Sequence, residues 1–188
     1  MASYCEIAPG HPLHGPYHDR EYGFPTADET VLFERLVLEI NQAGLSWELM
    51  LKKRPAFQDA YDGFQVDRVA SYGDAERQRL LSNPAIIRNR LKVDAAISNA
   101  RLIQGLRGEY GSFAGWIETH HPLDRAGWVK LFRREGFRFV GGEIVGEFLM
   151  SIGILEGAHD PVCPVFTEIE RLRPPWIVGP GARLEPGH

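Results

Sequence analysis

The chain has little cysteine, no long apolar run and no excess of positive charge. Its two cysteines lie near opposite ends of 188 residues, which does not suit the disulfide framework of a secreted protein. No apolar stretch approaches the roughly 18 residues that a membrane span needs, and the polar N-terminus lacks the apolar core of a signal peptide. We therefore expect a soluble, cytoplasmic protein without a membrane partner.

Positive charge is local. The formal net charge is −4 and the isoelectric point is about 6.0, so no general basic field indicates a nucleic-acid partner. Basic residues cluster at positions 52–54, 88–92 and 133–138. Each cluster is able to contact phosphates, although a solvated surface is the commoner role of such a cluster.

The composition is typical of a folded globular domain, with 44% hydrophobic and 24% charged residues. A chain of this length buries a substantial core, and we predict a single domain over residues 1–178. Proline is concentrated beyond Gly157. We predict that residues 179–188 form a mobile C-terminal tail.

Helical patterns dominate the sequence. Residues 1–25 show no period and predict an irregular segment; residues 26–29 read as a capping box with Thr26 as N-cap, followed by a helix to about Gln42. Ser46 is placed to cap a second helix to Arg54, where Pro55 permits a new first turn. Residues 137–140 are the only candidate strand, and this segment is short. The sequence therefore predicts an all-α fold.

One carboxylate stands in an apolar row of the first long helix. Leu32, Leu36, Glu39 and Ala43 share one stripe at helical spacing. Burying Glu39 costs several kcal/mol unless something pairs with it. The partner is either an internal Arg or His, which is the commoner arrangement, or a ligand.

The turn after this helix combines a hinge with an aromatic side chain. Gly44 provides the hinge, Leu45 is an apolar residue at the tip, and Trp47 follows the capping Ser46. An acid and a large aromatic ring on either side of one tight turn indicate a pocket for a flat molecule. The alternative is an ordinary corner between two helices.

A second turn, at residues 83–90, leads directly into basic residues and a long helix. Backbone N–H groups at a helix N-terminus, together with Arg88 and Arg90, suit a phosphate. The turn carries Pro84 and Ala85 in place of the glycines usual in a DNA-binding helical hairpin. An ordinary antiparallel connection between helices is therefore an equal alternative.

Two cysteine and histidine pairs lie at the two ends of the chain. Cys5 and His18 are near the N-terminus, and His159 and Cys163 are four residues apart near the C-terminus. Tetrahedral zinc accepts two thiolates and two imidazoles, and such a site would tie both ends together. The spacing alone is weak evidence, because most of the chain separates the pairs and other histidines are available.

In combination, these motifs resemble the bacterial 3-methyladenine DNA glycosylase I family. The similar segments, in order, are Cys5, residues 17–23, residues 39–47 with 52–54, residues 86–90, residues 136–141, and His159 with Cys163. The resemblance covers roughly residues 4 to 163. It implies a two-lobed, all-α fold of the helix-hairpin-helix type, whose termini are clasped by a structural zinc ion on Cys5, His18, His159 and Cys163.

The resemblance also implies roles in base recognition. Glu39 would be the catalytic residue: it would bind the edge of a flipped alkylated adenine and stabilise its positive charge. No residue is assigned as general base. Trp47 would stack on the base, and Tyr17 and Tyr22 would complete the pocket. The residues that contact DNA would form two groups. Leu45, on the Gly44 turn, would fill the space left by the flipped base, and the second turn would hold the DNA backbone through Ile87, Arg88, Asn89, Arg90 and Lys92.

The sequence departs from the family pattern at a few pocket positions. Tyr22 stands where the family usually has Trp, Met150 replaces a usual Gln, and Gly142, Glu143 and Gly146 replace larger or uncharged residues. We predict a monomeric, monofunctional glycosylase that removes 3-methyladenine from alkylated double-stranded DNA. The alternatives are a paralogue with altered lesion preference and a non-catalytic binder of damaged DNA.

Overall fold

The computed structural model describes residues 3–184, which form twelve α-helices and one short 3-10 helix without any strand. This confirms the predicted all-α class. The helices are α1 (Tyr4–Ile7), α2 (His14–Arg20), α3 (Glu29–Gln42), α4 (Trp47–Ala60), α5 (Val66–Ala70), α6 (Asp74–Ser82), α7 (Arg90–Tyr110), α8 (Phe113–His120), α9 (Arg125–Glu135), α10 (Gly142–Ser151), α11 (Pro164–Arg171) and α12 (Pro175–Val178), with the 3-10 helix Asp62–Phe64 between α4 and α5.

Helix α3 is the central element. Every residue from Leu32 to Asn41 is buried, because α4, α7, α8 and α10 pack around it. Its N-cap is Asp28, whose side chain accepts hydrogen bonds from Thr30 N and Val31 N. The predicted Thr26 cap is therefore wrong: the Thr26 hydroxyl accepts from Asp28 N one turn earlier. The predicted end at Gln42 is correct.

Helix α4 begins as predicted, with the Ser46 hydroxyl accepting a hydrogen bond from Leu49 N at 3.2 Å. It does not end at Arg54, however, and continues through Pro55 to Ala60. A proline inside a helix removes one hydrogen bond and strains the preceding turn. The Pro55 ring faces solvent, while Phe57 and Ala60 in the same turn are buried in the core, and this burial offsets the cost.

The predicted strand at residues 137–140 is absent from the described chain. These residues form the connection between α9 and α10, with Phe137 buried in the core. The Asn99 side chain of α7 replaces a neighbouring strand. Its amide donates to Arg138 O at 3.1 Å, and its oxygen accepts from Arg138 N at 2.9 Å.

Both ends of the chain are more ordered than the sequence predicts. The N-terminal segment contains α1 and α2, and it meets α11 in a small cluster that includes Cys163 and Ile169. Residues 179–184 also pack against the domain: Leu184 is buried, and its N–H donates to Glu118 Oε1 at 2.6 Å. This part of the predicted mobile tail is therefore packed, and residues 185–188 lie outside the described residues.

No helix among residues 3–184 combines the length and the apolar composition of a transmembrane segment.

Candidate functional site

The end of α3 opens into a cavity of about 730 Å³, within the usual range for ligand pockets. The cavity lies between the start of the chain, the turn after α3 and the first turns of α10. Its lining residues are Tyr4, Tyr17, Tyr22, Glu39, Gln42, Ala43, Gly44, Leu45, Trp47, Gly141, Gly142, Glu143, Ile144 and Glu147. The four residues that the sequence assigns to base binding are thus brought together.

Aromatic rings form much of the wall. The Tyr17 ring lies 5.1 Å from the Trp47 ring and is stacked on Tyr22 at 5.7 Å, measured between centroids. The Arg35 guanidinium lies over the Tyr17 ring at 5.2 Å. The Tyr17 hydroxyl and Trp47 Nε1 are buried and find no hydrogen-bond partner among residues 3–184.

Glu39 is the buried carboxylate of this cavity. It is 5% exposed, and no hydrogen bond or ion pair joins its carboxylate to any side chain of residues 3–184. Burial and the nearby charge of Glu147 raise the pKa of Glu39 to about 8, although Arg35 opposes the shift. The internal Arg or His partner that the sequence left open is absent from the described residues.

Sequence reasoning missed Glu147. This half-buried residue of α10 lines the same cavity, and the Tyr22 hydroxyl donates to its Oε2 at 3.0 Å. A signal was present, since Glu147 stands between the buried residues Gly146 and Phe148, as Glu39 does in α3. Glu143, which the sequence singled out, is instead at the rim with its side chain 92% exposed.

Gly44 and Leu45 form the tip of the turn at the mouth of the cavity. Gly44 has φ of +83°, a conformation that side chains rarely adopt. Leu45 is 38% exposed, one of the few large apolar side chains on the surface. The turn therefore presents an exposed apolar side chain at the mouth of an aromatic pocket.

The second turn leads into α7 much as the sequence predicts. The Asn89 side chain caps the helix by accepting from Lys92 N at 3.2 Å. Arg88 and Arg90 are exposed, and Ile87 packs partly against the core. The 21 residues of α7 direct their N-terminal dipole at this surface. The arrangement leaves two cations and free backbone N–H groups facing solvent.

Lys92 does not belong to that surface, so its predicted contact with the DNA backbone is wrong. It is 6% exposed, and its ammonium donates to Asn41 O and Ala43 O, both at 2.8 Å. Burial lowers the pKa of Lys92. The ammonium instead supplies donors to the carbonyls at the C-terminus of α3, which fixes the turn that carries Gly44 and Leu45.

The four predicted metal ligands also meet. The ligand atoms of Cys5, His18, His159 and Cys163 all lie within 4.8 Å of one another. Cys163 Sγ is 3.7 Å from His18 Nε2, and Cys5 Sγ is 3.6 Å from His159 Nδ1. A tetrahedral ion with bonds of about 2.3 Å to sulfur and about 2.0 Å to nitrogen separates such atoms by about 3.5 Å. The distances fit one ion.

The remaining ring nitrogens orient these ligands. His159 Nε2 is 2.7 Å from Tyr22 O, and a carbonyl only accepts, so Nε2 carries the proton and Nδ1 faces the cluster with a lone pair. His18 Nδ1 is likewise paired with the Asp19 carboxylate at 2.7 Å, which leaves Nε2 for the metal. Hydrogen bonds of this kind are typical around metal-bound histidines.

Known proteins with similar sequences and folds share one activity in their names. A family model described as methyladenine glycosylase matches residues 7–126. DNA-3-methyladenine glycosylase 1 of Escherichia coli (strain K12) is 34% identical over 162 residues, covering 77% of this chain and 87% of that protein.

Two solved structures have the same fold. The crystal structure of a 3-methyladenine DNA glycosylase I gives a TM-score of 0.77 at 32% identity and covers 85% of this chain and 97% of the other. A structure of 3-methyladenine DNA glycosylase I from Staphylococcus aureus, described as the structural basis of 3-methyladenine recognition, gives 0.78 at 29% identity, with coverage of 86% and 95%.

Proposed function

This chain belongs to the methyladenine glycosylase family, and from that membership we propose that it hydrolyses the N-glycosidic bond of 3-methyladenine in alkylated double-stranded DNA. The observation that carries the proposal is the cavity itself. A buried, unpaired carboxylate and four aromatic rings surround a space directly behind an exposed leucine turn. That combination suits a flat cation rotated out of a duplex.

The aromatic wall receives the base. Trp47 and Tyr22 provide π-faces, which attract a purine that carries positive charge more strongly than a neutral one. The Tyr17 hydroxyl and Trp47 Nε1 lack partners within residues 3–184 and would hydrogen-bond acceptors of the base. Binding therefore gives these buried polar groups the partners that the fold withholds.

Glu39 is the catalytic residue of the proposal, acting through charge and hydrogen bonding. Methylation at N3 makes the base cationic and weakens its bond to the sugar. As this cation enters the cavity, Glu39 loses its proton and its carboxylate stabilises the positive charge in a site that excludes water. Water then attacks the sugar carbon as the neutral base departs, and the proton of that water passes to solvent.

The two turns hold the DNA. Leu45 fills the gap left by the rotated base, and Gly44 lets the backbone approach the duplex. The N-terminus of α7 binds backbone phosphate through N–H groups near Asn89, with Arg88 and Arg90 adding charge and Ile87 anchoring the turn. These contacts need only one copy of the chain, and we propose a monomer in which residues 1–178 act as a single domain.

The cluster of Cys5, His18, His159 and Cys163 holds a structural zinc ion in this proposal. Two sulfurs and two imidazole nitrogens are the ligand set that zinc prefers for closed tetrahedral sites. The ion crosslinks α1 and α2 to the segment before α11, where apolar packing is limited to a small cluster. Its contribution is stability, because the ligands are all protein side chains and none faces the base pocket.

The test of function is the release of free bases from methylated duplex DNA, separated by chromatography. We expect 3-methyladenine as the main product of the wild type. Glu39→Gln should lower the release rate by about 100-fold while retaining DNA binding, and Glu109→Gln, at an exposed site of α7, should release bases at the wild-type rate. A folded wild type that binds DNA and releases no base would support the non-catalytic binder instead.

The zinc test compares Cys163→Ala with the wild type. We expect the variant to lose bound metal and about 2 kcal/mol of unfolding free energy, measured by elemental analysis and thermal unfolding. The release rate per folded molecule should change little. Equal unfolding temperatures with and without chelator would rule out a stabilising metal.

A further inference from the structure

Glu147 is a second carboxylate of the base cavity. It lies on α10, opposite α3, and the two helices pack against each other across the cavity. The Tyr22 hydroxyl fixes its Oε2 at 3.0 Å. No other hydrogen bond or ion pair engages the Glu147 carboxylate within residues 3–184, so its second oxygen is available to a ligand.

No cation within the described residues forms an ion pair with Glu39 or Glu147. The charged group nearest to Glu39 on its own helix is Arg35, which is already committed: its Nη1 donates to Glu21 O and Ser151 O. The N-terminal segment lines the cavity with Tyr4, Tyr17 and Tyr22, and α4 lines it with Trp47; none of these side chains is a cation. Glu143 of α10 extends into solvent at the rim. The cavity therefore holds two acids, and the one cation that acts on Glu39, Arg35, is shared with the Glu21 carboxylate at 3.4 Å.

We propose that Glu147 is a specificity-determining residue, which together with Glu39 makes the cavity select purines carrying a positive charge over neutral purines of the same shape. The inference rests on the proposed function, because it concerns the same base pocket. It extends that function to a residue of the opposite wall.

The physical basis is the repulsion between two acids in one apolar cavity. Burial and the charge of Glu147 raise the pKa of Glu39 to about 8, with Arg35 opposing the shift. Near neutral pH the empty cavity therefore keeps Glu39 protonated beside the second carboxyl group, that of Glu147. A neutral base gains little from this arrangement. A cation lets Glu39 ionise, so it meets two negative charges.

Binding of a cation is therefore coupled to release of one proton. Glu39 changes from carboxylic acid to carboxylate, and the proton goes to solvent. Affinity for a cationic purine should rise with pH up to about 8 and level off above it, since proton release then costs nothing. Affinity for a neutral purine should lack this dependence.

Two small probes separate charge from shape. 9-Methyladenine is neutral, and its N3-methylated form, 3,9-dimethyladenine, is a permanent cation that mimics the base while still attached to sugar. We expect the full wild-type chain to bind the cation at least about tenfold more tightly at pH 8. Calorimetry in buffers of different ionisation enthalpy should show close to one proton released below pH 8.

Glu147→Gln retains the size of the side chain and removes its charge. We expect the preference for the cation to fall by about tenfold, and the Glu39 titration midpoint, followed by ¹³C NMR of the side-chain carboxyl, to fall by about one pH unit. The matched variant Glu143→Gln removes a carboxylate from the exposed rim of the same helix and should leave the midpoint in place. Glu147→Asp retains the charge and should retain most of both effects.

The proposal is overturned if Glu147→Gln, folded by circular dichroism, retains the wild-type midpoint and preference, or if Glu147→Asp loses as much as Glu147→Gln. The base-release assay distinguishes this result from failure of the proposed function. If the wild type releases 3-methyladenine but these shifts are not seen, the glycosylase function stands and the proposed role of Glu147 is rejected. If both shifts are seen but no base is released, the cation-selective pair Glu39 and Glu147 stands and the glycosylase function is rejected.

Discussion

Two glutamates of helix α3, Glu34 and Glu39, are equally buried but differ in whether other side chains bind their carboxylates. Glu34 and Glu39 are both 5% exposed and stand five residues apart. The Glu34 carboxylate accepts from Arg54 Nε at 2.8 Å and from Gln58 Nε2 at 2.8 Å. The Glu39 carboxylate faces the cavity with no such partner among residues 3–184.

The partners of Glu34 belong to a larger ionic network. Arg54 also donates to both carboxylate oxygens of Glu21, at 2.8 and 2.7 Å, and Glu21 in turn receives Arg35 Nη2 at 3.4 Å. Part of the basic cluster at residues 52–54 is thus committed inside the protein. The pairing that the sequence offers as the commoner role of Glu39 occurs instead at Glu34.

The difference separates a structural acid from a functional one. A buried carboxylate that is already paired within the fold does not bind ligands, because its lone pairs accept hydrogen bonds from the protein. A buried acid left unpaired costs the fold free energy, and only a molecule entering from outside completes it. Exposure alone therefore does not identify the functional residue; the missing partner does.

The largest expected effect comes from making the same substitution at both acids. Glu34→Gln should lower the free energy of unfolding by about 3 kcal/mol, because Arg54 loses the buried one of its two carboxylate partners. Glu39→Gln should leave it unchanged or raise it at pH 7.5, since an amide tolerates this site better than an acid. Urea unfolding measures both variants. A similar loss in both would remove the distinction between them.

An intermediate effect is expected in the pH dependence of stability. Folding raises the pKa of Glu39 from 4.5 to about 8, so its stabilising contribution is complete below pH 4.5 and is lost as pH rises through 8. Relative to Glu39→Gln, the wild type should lose about 3.5 kcal/mol of unfolding free energy between pH 5 and 8. Parallel stability curves for the two proteins would contradict this interpretation of Glu39.

The smallest effect tests the turn beside Glu39. Lys92→Met leaves the carbonyls of Asn41 and Ala43 without their donor, which should cost about 1 kcal/mol of stability and slow base release by about tenfold. Lys53→Met is the matched control, since Lys53 Nζ bonds a single carbonyl, Ala85 O, on the exposed surface. The control should match the wild type. Equal behaviour of both variants would exclude a positioning role for Lys92.

Local signals in the sequence account for much of the fold and part of the site. The all-α class, the end of α3 at Gln42 and the Ser46 cap depend on neighbours within a few residues, and each is confirmed. The family resemblance is confirmed by the matching model and relatives. The four side chains predicted as metal ligands, which most of the chain separates, also meet as the resemblance implies, while metal binding and the identity of the metal stay proposals.

The errors arise where burial overrides local chemistry. Lys92 follows two exposed arginines and has the same charge, yet the helix turns it towards the end of α3. Pro55 is a local helix breaker, and the packing of Phe57 carries α4 past it. Residues 179–184 are rich in glycine and proline, and Leu184 nevertheless joins the core.

The sequence by itself determined the helical class, the family and the residue types of the cavity. Helix periodicity, caps and motifs depend on residues that are close together in sequence. Only the tertiary structure decided which buried acid is paired and which is left for a ligand, and that Glu147 stands opposite Glu39. These outcomes depend on distances between helices that are far apart in sequence. Charge pairing falls off with distance in space, and no local pattern records it.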